Sequence, residues 1–437
     1  MRALLALALL PLACRGEPAP ARPPAPDGAW PAADLAADLA PPADAVSGVI
    51  FGAVTVDPDP DRPAFVTTSD LNGDGRQELV VSVFSGSPLG SGALAIYAMA
   101  GSVDSWSRQV VVPKSAGIKF PNAVSVVDVD GDHDLDLILP HGFLACAPLS
   151  CGGLAWLEQL GEGWQRHDVV PAGSSLFYHR AVLADMDGDG APDLVTVGES
   201  KGLLDAGKAA TQIVAGDLAL PARFQSPPLD VGPGLGSLPV VRDLDGDGDL
   251  DIASAEYFVP GESAAWYERT ATGWERHVAV SGVGPSIQLS FVDDLLGDGR
   301  AIPVLANHTN TKDDGKAHAS AVFLLDIPAD PRQPWSARPI SRGIESRRSP
   351  LVGPQGAPGV FAWGDLDGDG DVDLVVSGDG DPRIYWLENL GGGAFDTRVL
   401  AGGLPQAGVA VADLDGDGRV EVVVSSYEAN RLVIYRR

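Results

Sequence analysis

Positive charge is scarce in this sequence: 30 Lys and Arg stand against 59 Asp and Glu, for a formal net charge of −29. A surface of that sign repels phosphate backbones and anionic lipid, which excludes nucleic acid and acidic membrane surfaces as partners. Cysteine is rarer still, at three, with no CxxC pair to suggest zinc. Aromatic residues make up only 6%, and neither a nucleophile elbow nor a P-loop is present. The apolar run at residues 3–12 is too short to span a bilayer.

What is there is rich in turns. Gly 53 and Pro 36 favour short strands over long helices, and 45% hydrophobic residues are ample for a core, so an all-β chain is expected. With 437 residues the chain exceeds the usual single domain, leaving several domains or one large repeat architecture. The opening MRALLALALLPLACRG has one positive charge at Arg2 before its apolar run, the pattern of an export signal. Cys14 after Leu-Ala resembles the end of a bacterial lipoprotein signal, where the cysteine is lipidated, although Pro11 stands where that signal usually has leucine. An ordinary secretory signal, leaving a soluble product, is the alternative. Residues 1–14 are thus read as export signal and residues 15–46, rich in Pro and Ala, as a semi-extended tether. Beyond an export signal, Cys146 and Cys151 in CAPLSC are expected to pair as a local disulfide.

One loop recurs seven times: DLNGDGRQE at Asp70, DVDGDHDLD at Asp128, DMDGDGAPD at Asp185, DLDGDGDLD at Asp243, DLLGDGRAI at Asp294, DLDGDGDVD at Asp365 and DLDGDGRVE at Asp413. Each is flanked by two apolar runs, such as GVAVAD before and VEVVVSS after, which read as two strands joined by the loop. LAWLEQ, AAWYER and IYWLEN supply third strands; GWQRHDVV, GWERHVAV and GAFDTRVL supply fourth strands. Four strands repeated seven times describe a seven-bladed β-propeller over residues 47–437. The last repeat is one strand short and VIFGAVTV at residues 49–56 has no partner, so the N-terminal strand should complete the last blade and leave no open edge. These registered copies resemble the FG-GAP or VCBS repeat family, which includes the propeller of integrin α subunits and many bacterial surface proteins. The resemblance implies the fold; function on such scaffolds ranges from binding modules to a few enzymes.

In DxDGDGxxD the side chains at positions 1, 3, 5 and 9 and the carbonyl at 7 can converge on one ion, and an all-oxygen, carboxylate-rich cage selects calcium over magnesium. A bare hairpin turn needs one Asp-Gly, not four acids in register. The expected side-chain ligands are Asp70, Asn72, Asp74 and Glu78; Asp128, Asp130, Asp132 and Asp136; Asp185, Asp187, Asp189 and Asp193; Asp243, Asp245, Asp247 and Asp251; Asp365, Asp367, Asp369 and Asp373; and Asp413, Asp415, Asp417 and Glu421. Carbonyls would come from Arg76, Asp134, Ala191, Asp249, Asp371 and Arg419. His133 replaces the turn glycine in the second copy. The fifth copy has Leu296 and Ile302 at positions 3 and 9 and is expected to hold no calcium, its turn packed by those two residues.

The metal loops all join strands one and two and so share one face of the disc. Longer, more varied connections occupy the opposite face, where recognition usually sits. Candidate ligand contacts there are Phe120, Tyr178, His179, Arg180, Tyr257, His308, Lys312, Arg347 and Arg348, aromatic and basic groups suited to glycans or acidic polymers. Two function classes follow. One is an exported, monomeric, calcium-stabilised binding or adhesion module for a glycan or extracellular protein, touching a membrane only through a lipid anchor. The other is a carbohydrate-active enzyme of lyase or dehydratase type, with Tyr178, His179 and Arg180 as its acid-base group. His167 and His277, and Trp156, Trp266 and Trp386, repeat at matching strand positions and are read as blade structure.

Overall fold

The computed structural model describes residues 51–86, 90–143, 150–161, 163–200, 208–236, 238–309, 319–346, 348–349, 353–354 and 356–437. Cys14, Cys146, Lys312, Arg347 and the side chains of Cys151 and Arg348 lie outside the described residues, and with them the expected lipidation, the disulfide and three of the loop-face candidates.

Seven four-stranded antiparallel sheets account for nearly all of the described structure, and the blades are numbered 1 to 7 in chain order. Their inner strands are Pro63–Ser69, Ser125–Val127, Phe177–Ala184, Val240–Arg242, Ser286–Asp293, Phe361–Gly364 and Ala407–Ala412. The second strands are Glu78–Val83, Asp136–Phe143, Asp193–Ser200, Asp251–Ala255, Ala301–Asn307, Asp373–Ser377 and Glu421–Ser426. Second strands such as ELVVSV, DLVVS and EVVVSS are buried at every residue. Sheets packed on both faces need continuous apolar runs, which explains why these segments do not alternate. Outer strands such as WSRQVVV face solvent over most of their length and carry the charge. No helix among the described residues is long and apolar enough to cross a membrane.

Blades pack through seven shared apolar clusters. Leu79, Val81 and Tyr97 of blade 1 meet Leu414, Val423 and Ile434 of blade 7, and the six other junctions follow in chain order. The strand Gly52–Asp57 pairs antiparallel with Arg431–Arg436, Gly52 opposite Arg436, and completes blade 7 as its outermost strand. Both ends of the propeller are thereby held in one sheet, and no inner edge is left to pair with another chain.

Candidate metal centres

The conserved geometry of the loops comes from side chains folding back on their own backbone. In blade 2 the Asp128 carboxylate accepts the N–H groups of Gly131 and His133, at 2.7 and 3.1 Å. The Asp130 and Asp132 carboxylates accept the N–H groups two residues on, from Asp132 and Asp134. Asp185, Asp243, Asp365 and Asp413 repeat the first pattern with glycines. Asp70 does so with Asp74 and Gly75. Asx-type turns of this kind fix the backbone and turn the remaining lone pairs inward. His133 adopts φ of 78°, close to the 87° of its counterparts Gly75 and Gly190, so the substitution leaves the turn intact.

The ninth residue begins the second strand in six blades. Its carboxylate accepts the N–H of position 2 each time: Leu71 on Glu78, Val129 on Asp136, Met186 on Asp193, Leu244 on Asp251, Leu366 on Asp373 and Leu414 on Glu421. In four blades its second oxygen also takes an N–H from beyond the loop, donated by Gln159, Gly216, Arg269 or Asn389. Position 2 itself is apolar for a separate reason, since Leu71, Val129, Met186, Leu366 and Leu414 are buried in the junctions between blades. The loop is thus riveted to the core at two adjacent points.

The result is convergence of charge. Asp128, Asp130 and Asp136, and the equivalent trios of blades 3, 4 and 6, each bring carboxylate oxygens within 4.8 Å of one another. Burial, reinforced by neighbouring loop carboxylates, pushes the Asp251 carboxyl up to about 6, Asp373 to about 7 and Glu421 to about 7, against the lowering effect of their backbone hydrogen bonds. Asp415 Oδ1 is buried with no hydrogen-bond partner among the described residues. Concentrated, partly desolvated carboxylates with spare lone pairs fit a hard divalent cation, and these clusters could bind a metal ion. The first loop is less charged, and Asn72 donates its amide to Glu78 at 2.9 Å.

Blade 5 solves the same turn without convergence. Ile302 is buried and Leu296 packs against the same cluster, with Leu295 fully enclosed beneath. Asp298 is held instead by the Arg300 guanidinium, at 2.6 and 2.8 Å, which keeps its carboxyl below the usual range.

Around the loops of blades 2, 4 and 6 a second pattern recurs. Trp156, Trp266 and Trp386 are buried at the junctions with the following blade. Opposite them on the fourth strand stand His167, His277 and Arg398. The histidines lie over the indoles at centroid distances of 4.5 and 4.8 Å and bond Glu158 and Glu268 at 2.7 Å. Arg398 does both jobs in blade 6, over Trp386 and paired with Glu388. The indole N–H of Trp156 faces the Asp136 carboxyl without closing a full hydrogen bond, linking this stack to the metal loop.

The opposite face corrects part of the sequence reading. Phe120 and Tyr178 are only 3% and 1% exposed. Phe120 packs edge-on to Phe84 at 5.2 Å, in a cluster with Phe177 and Tyr427 that draws on blades 1, 2, 3 and 7. Tyr178 turns into the blade and donates to Gln212 at 3.0 Å. Neither presents a surface to a ligand. His179 is half-buried with both ring nitrogens engaged, Nδ1 with Asn122 at 2.9 Å and Nε2 with Glu199 at 3.2 Å, and Arg180 beside it reaches solvent within a crowded surround whose desolvation lowers its pKa. Tyr257 and His308 form a second group, rings 5.9 Å apart, with His308 Nε2 3.6 Å from Asp379. Asn122, Glu199 and Asp379 had no motif to mark them in the sequence.

A model of the FG-GAP-like repeat matches residues 49–139 and 365–424, which contain the loops of blades 1, 2, 6 and 7. None of the curated proteins matches. Among solved structures, the chain is similar to a Trypanosoma rangeli sialidase in complex with sialic acid, at 13% identity and a TM-score of 0.39, over 88% of this chain and 57% of that one. It is also similar to a puromycin hydrolase mutant, at 15% identity and a TM-score of 0.48, over 89% of this chain and 56% of that one. This chain therefore spans little more than half the length of either structure. With the same strand-loop-strand unit recurring in all seven sheets, the chain is a seven-bladed β-propeller whose matched segments are FG-GAP-like repeats.

Proposed function

We propose that this protein is an exported binding module, stabilised by calcium in six of its seven loops, that meets a glycan or an extracellular protein on the face opposite those loops. The carrying observation is the division of labour between faces. Convergent carboxylates crowd one end of the inner strands, whereas His179 and Arg180 stand at the opposite end of the blade 3 inner strand and Tyr257 and His308 follow the second strands of blades 4 and 5. Calcium would supply charge neutralisation and a rigid cross-link between the first two strands of each blade. Rigid loops on such a scaffold lose little entropy on binding. His179 favours binding over lyase chemistry, because a general base needs a free ring nitrogen and both of its own are occupied.

The test is a glycan array probed with the calcium-loaded chain, alongside a uronic acid polymer panel followed in the ultraviolet. Retention of a ligand without turnover, weakened by Arg180→Ala, supports the binding reading. Accumulation of unsaturated products would overturn it in favour of an enzyme.

A further inference from the structure

The hairpin between the third and fourth strands of blade 5, Val322–Asp326 and Ser336–Pro339, crosses to blade 4. There Arg332 donates from Nη2 to Asp245 Oδ2 at 2.5 Å and forks onto Glu268 at 2.6 and 2.8 Å. Asp245 is the third-position residue of the fourth metal loop, its side chain only 4% exposed, and its other oxygen accepts the Asp247 N–H. Glu268 is the acid already bonded to His277. The hairpin that carries it is anchored by Trp335, which is buried, donates its backbone N–H to Ala279 of blade 4 and its indole N–H to Pro331.

An arginine of the following blade also comes near the loop at two other junctions. Arg223, in the corresponding hairpin of blade 3, lies close enough to act on Asp130, and the next residue, Phe224, is buried between blades 2 and 3. Arg437, after the third strand of blade 7, covers Gly368 in the sixth loop, its Nη1 only 2.8 Å from where a Cβ would stand. In blade 5, whose loop lacks the acids, the following blade offers an amide instead, Asn389 to the Leu295 carbonyl.

We propose that Arg332 is a strap between blades 4 and 5 that shares Asp245 with the metal of the fourth loop, making that loop weaker for calcium than its unstrapped state and tying its occupancy to the blade junction. The inference rests on the calcium reading of the loops. In the metal-free protein the guanidinium offsets part of the carboxylate repulsion; with metal present it opposes the ion. A unit positive charge at ~6 Å from a divalent ion lowers affinity by roughly a factor of ten even at water's dielectric, less with salt.

The experiment is calcium titration by isothermal calorimetry, with melting of the metal-free protein, on the full chain as wild type, Arg332→Gln, Arg332→Lys and Arg342→Gln. Arg342 pairs with Asp396 and touches no metal loop, so it is the control. Arg332→Gln should tighten one calcium site by roughly fivefold to tenfold while lowering the metal-free melting temperature. Arg332→Lys keeps the charge and loses the fork, so it should tighten the site less and remains informative if the glutamine variant misfolds. Arg342→Gln should leave the sites unchanged. Calcium affinities in both Arg332 variants equal to wild type, with or without a change in melting, would reduce the contact to a plain ion pair and overturn the strap. Absence of any calcium uptake by the wild type would overturn the metal reading itself, and the strap with it.

Discussion

Two histidines show how much one side chain can say. His133 holds the left-handed backbone that glycine holds in the other loops, at a steric cost that glycine escapes. His133→Gly should therefore stabilise the calcium-loaded protein by roughly 0.5–1 kcal/mol, read as a higher calorimetric melting temperature. His141 is buried on the second strand of blade 2, over Gly153, where a Cβ would lie 2.7 Å from the imidazole. Burial, with Arg166 nearby, pushes its pKa down from 6.5 to about 4. A histidine that resists protonation when folded binds fewer protons than the unfolded chain, so stability falls as pH drops through 6.5 and keeps falling towards 4. The total should be about 3 kcal/mol at most. In His141→Leu the melting temperature should fall less steeply between those pH values; an unchanged slope would show that other groups set the acid limit.

At the scale of elements, the metal loops were legible because every determinant is local. Turn glycines, acids at fixed spacing and flanking apolar runs lie within a dozen residues, and seven copies check one another. Asp369 in the sixth loop and Asp298 in the fifth occupy the same position with different neighbours, the first beside the Asp367 carboxylate and the second on Arg300. Asp369→Asn should cost about 2–3 kcal/mol in saturating calcium and little in chelator, because only the ligand role is lost. Asp298→Asn should show no such calcium dependence when both are melted side by side. The loop-face candidates were less legible. Pairing between the first two strands of blade 3 slips between Tyr178 and Ala181, and one extra residue reverses which side chains face inward. Alternation therefore could not tell that Tyr178 enters the core while Arg180 stays out.

For the whole molecule, closure and, on the proposed calcium reading, metal should together set stability. Phe51 packs edge-on to Trp386 at 5.8 Å, and Val54 and Val56 join the core between blades 7 and 1. Removing residues 1–57 should cost at least about 3 kcal/mol from lost apolar burial and expose the edge of Arg431–Arg436 to self-association. Calorimetry and size-exclusion chromatography would read the two effects. Chelation should lower the melting temperature markedly, since a ligand bound only by the folded state stabilises it by mass action. A melting curve indifferent to EDTA would remove the structural role of calcium.

The sequence by itself determined the blade count, the strand-loop-strand unit, the closing strand and the exceptional fifth loop. Each is written in short-range periodicity, and closure follows from the one strand missing at one end and spare at the other. Tertiary structure decided what no single repeat contains: that Arg332 reaches Asp245 from the next blade, that Trp156, Trp266 and Trp386 share their stacks with acids beside the metal loops, and that Phe120 joins an aromatic cluster drawn from four blades. Those contacts join residues tens of positions apart or more, and only the packing of complete sheets brings them within reach.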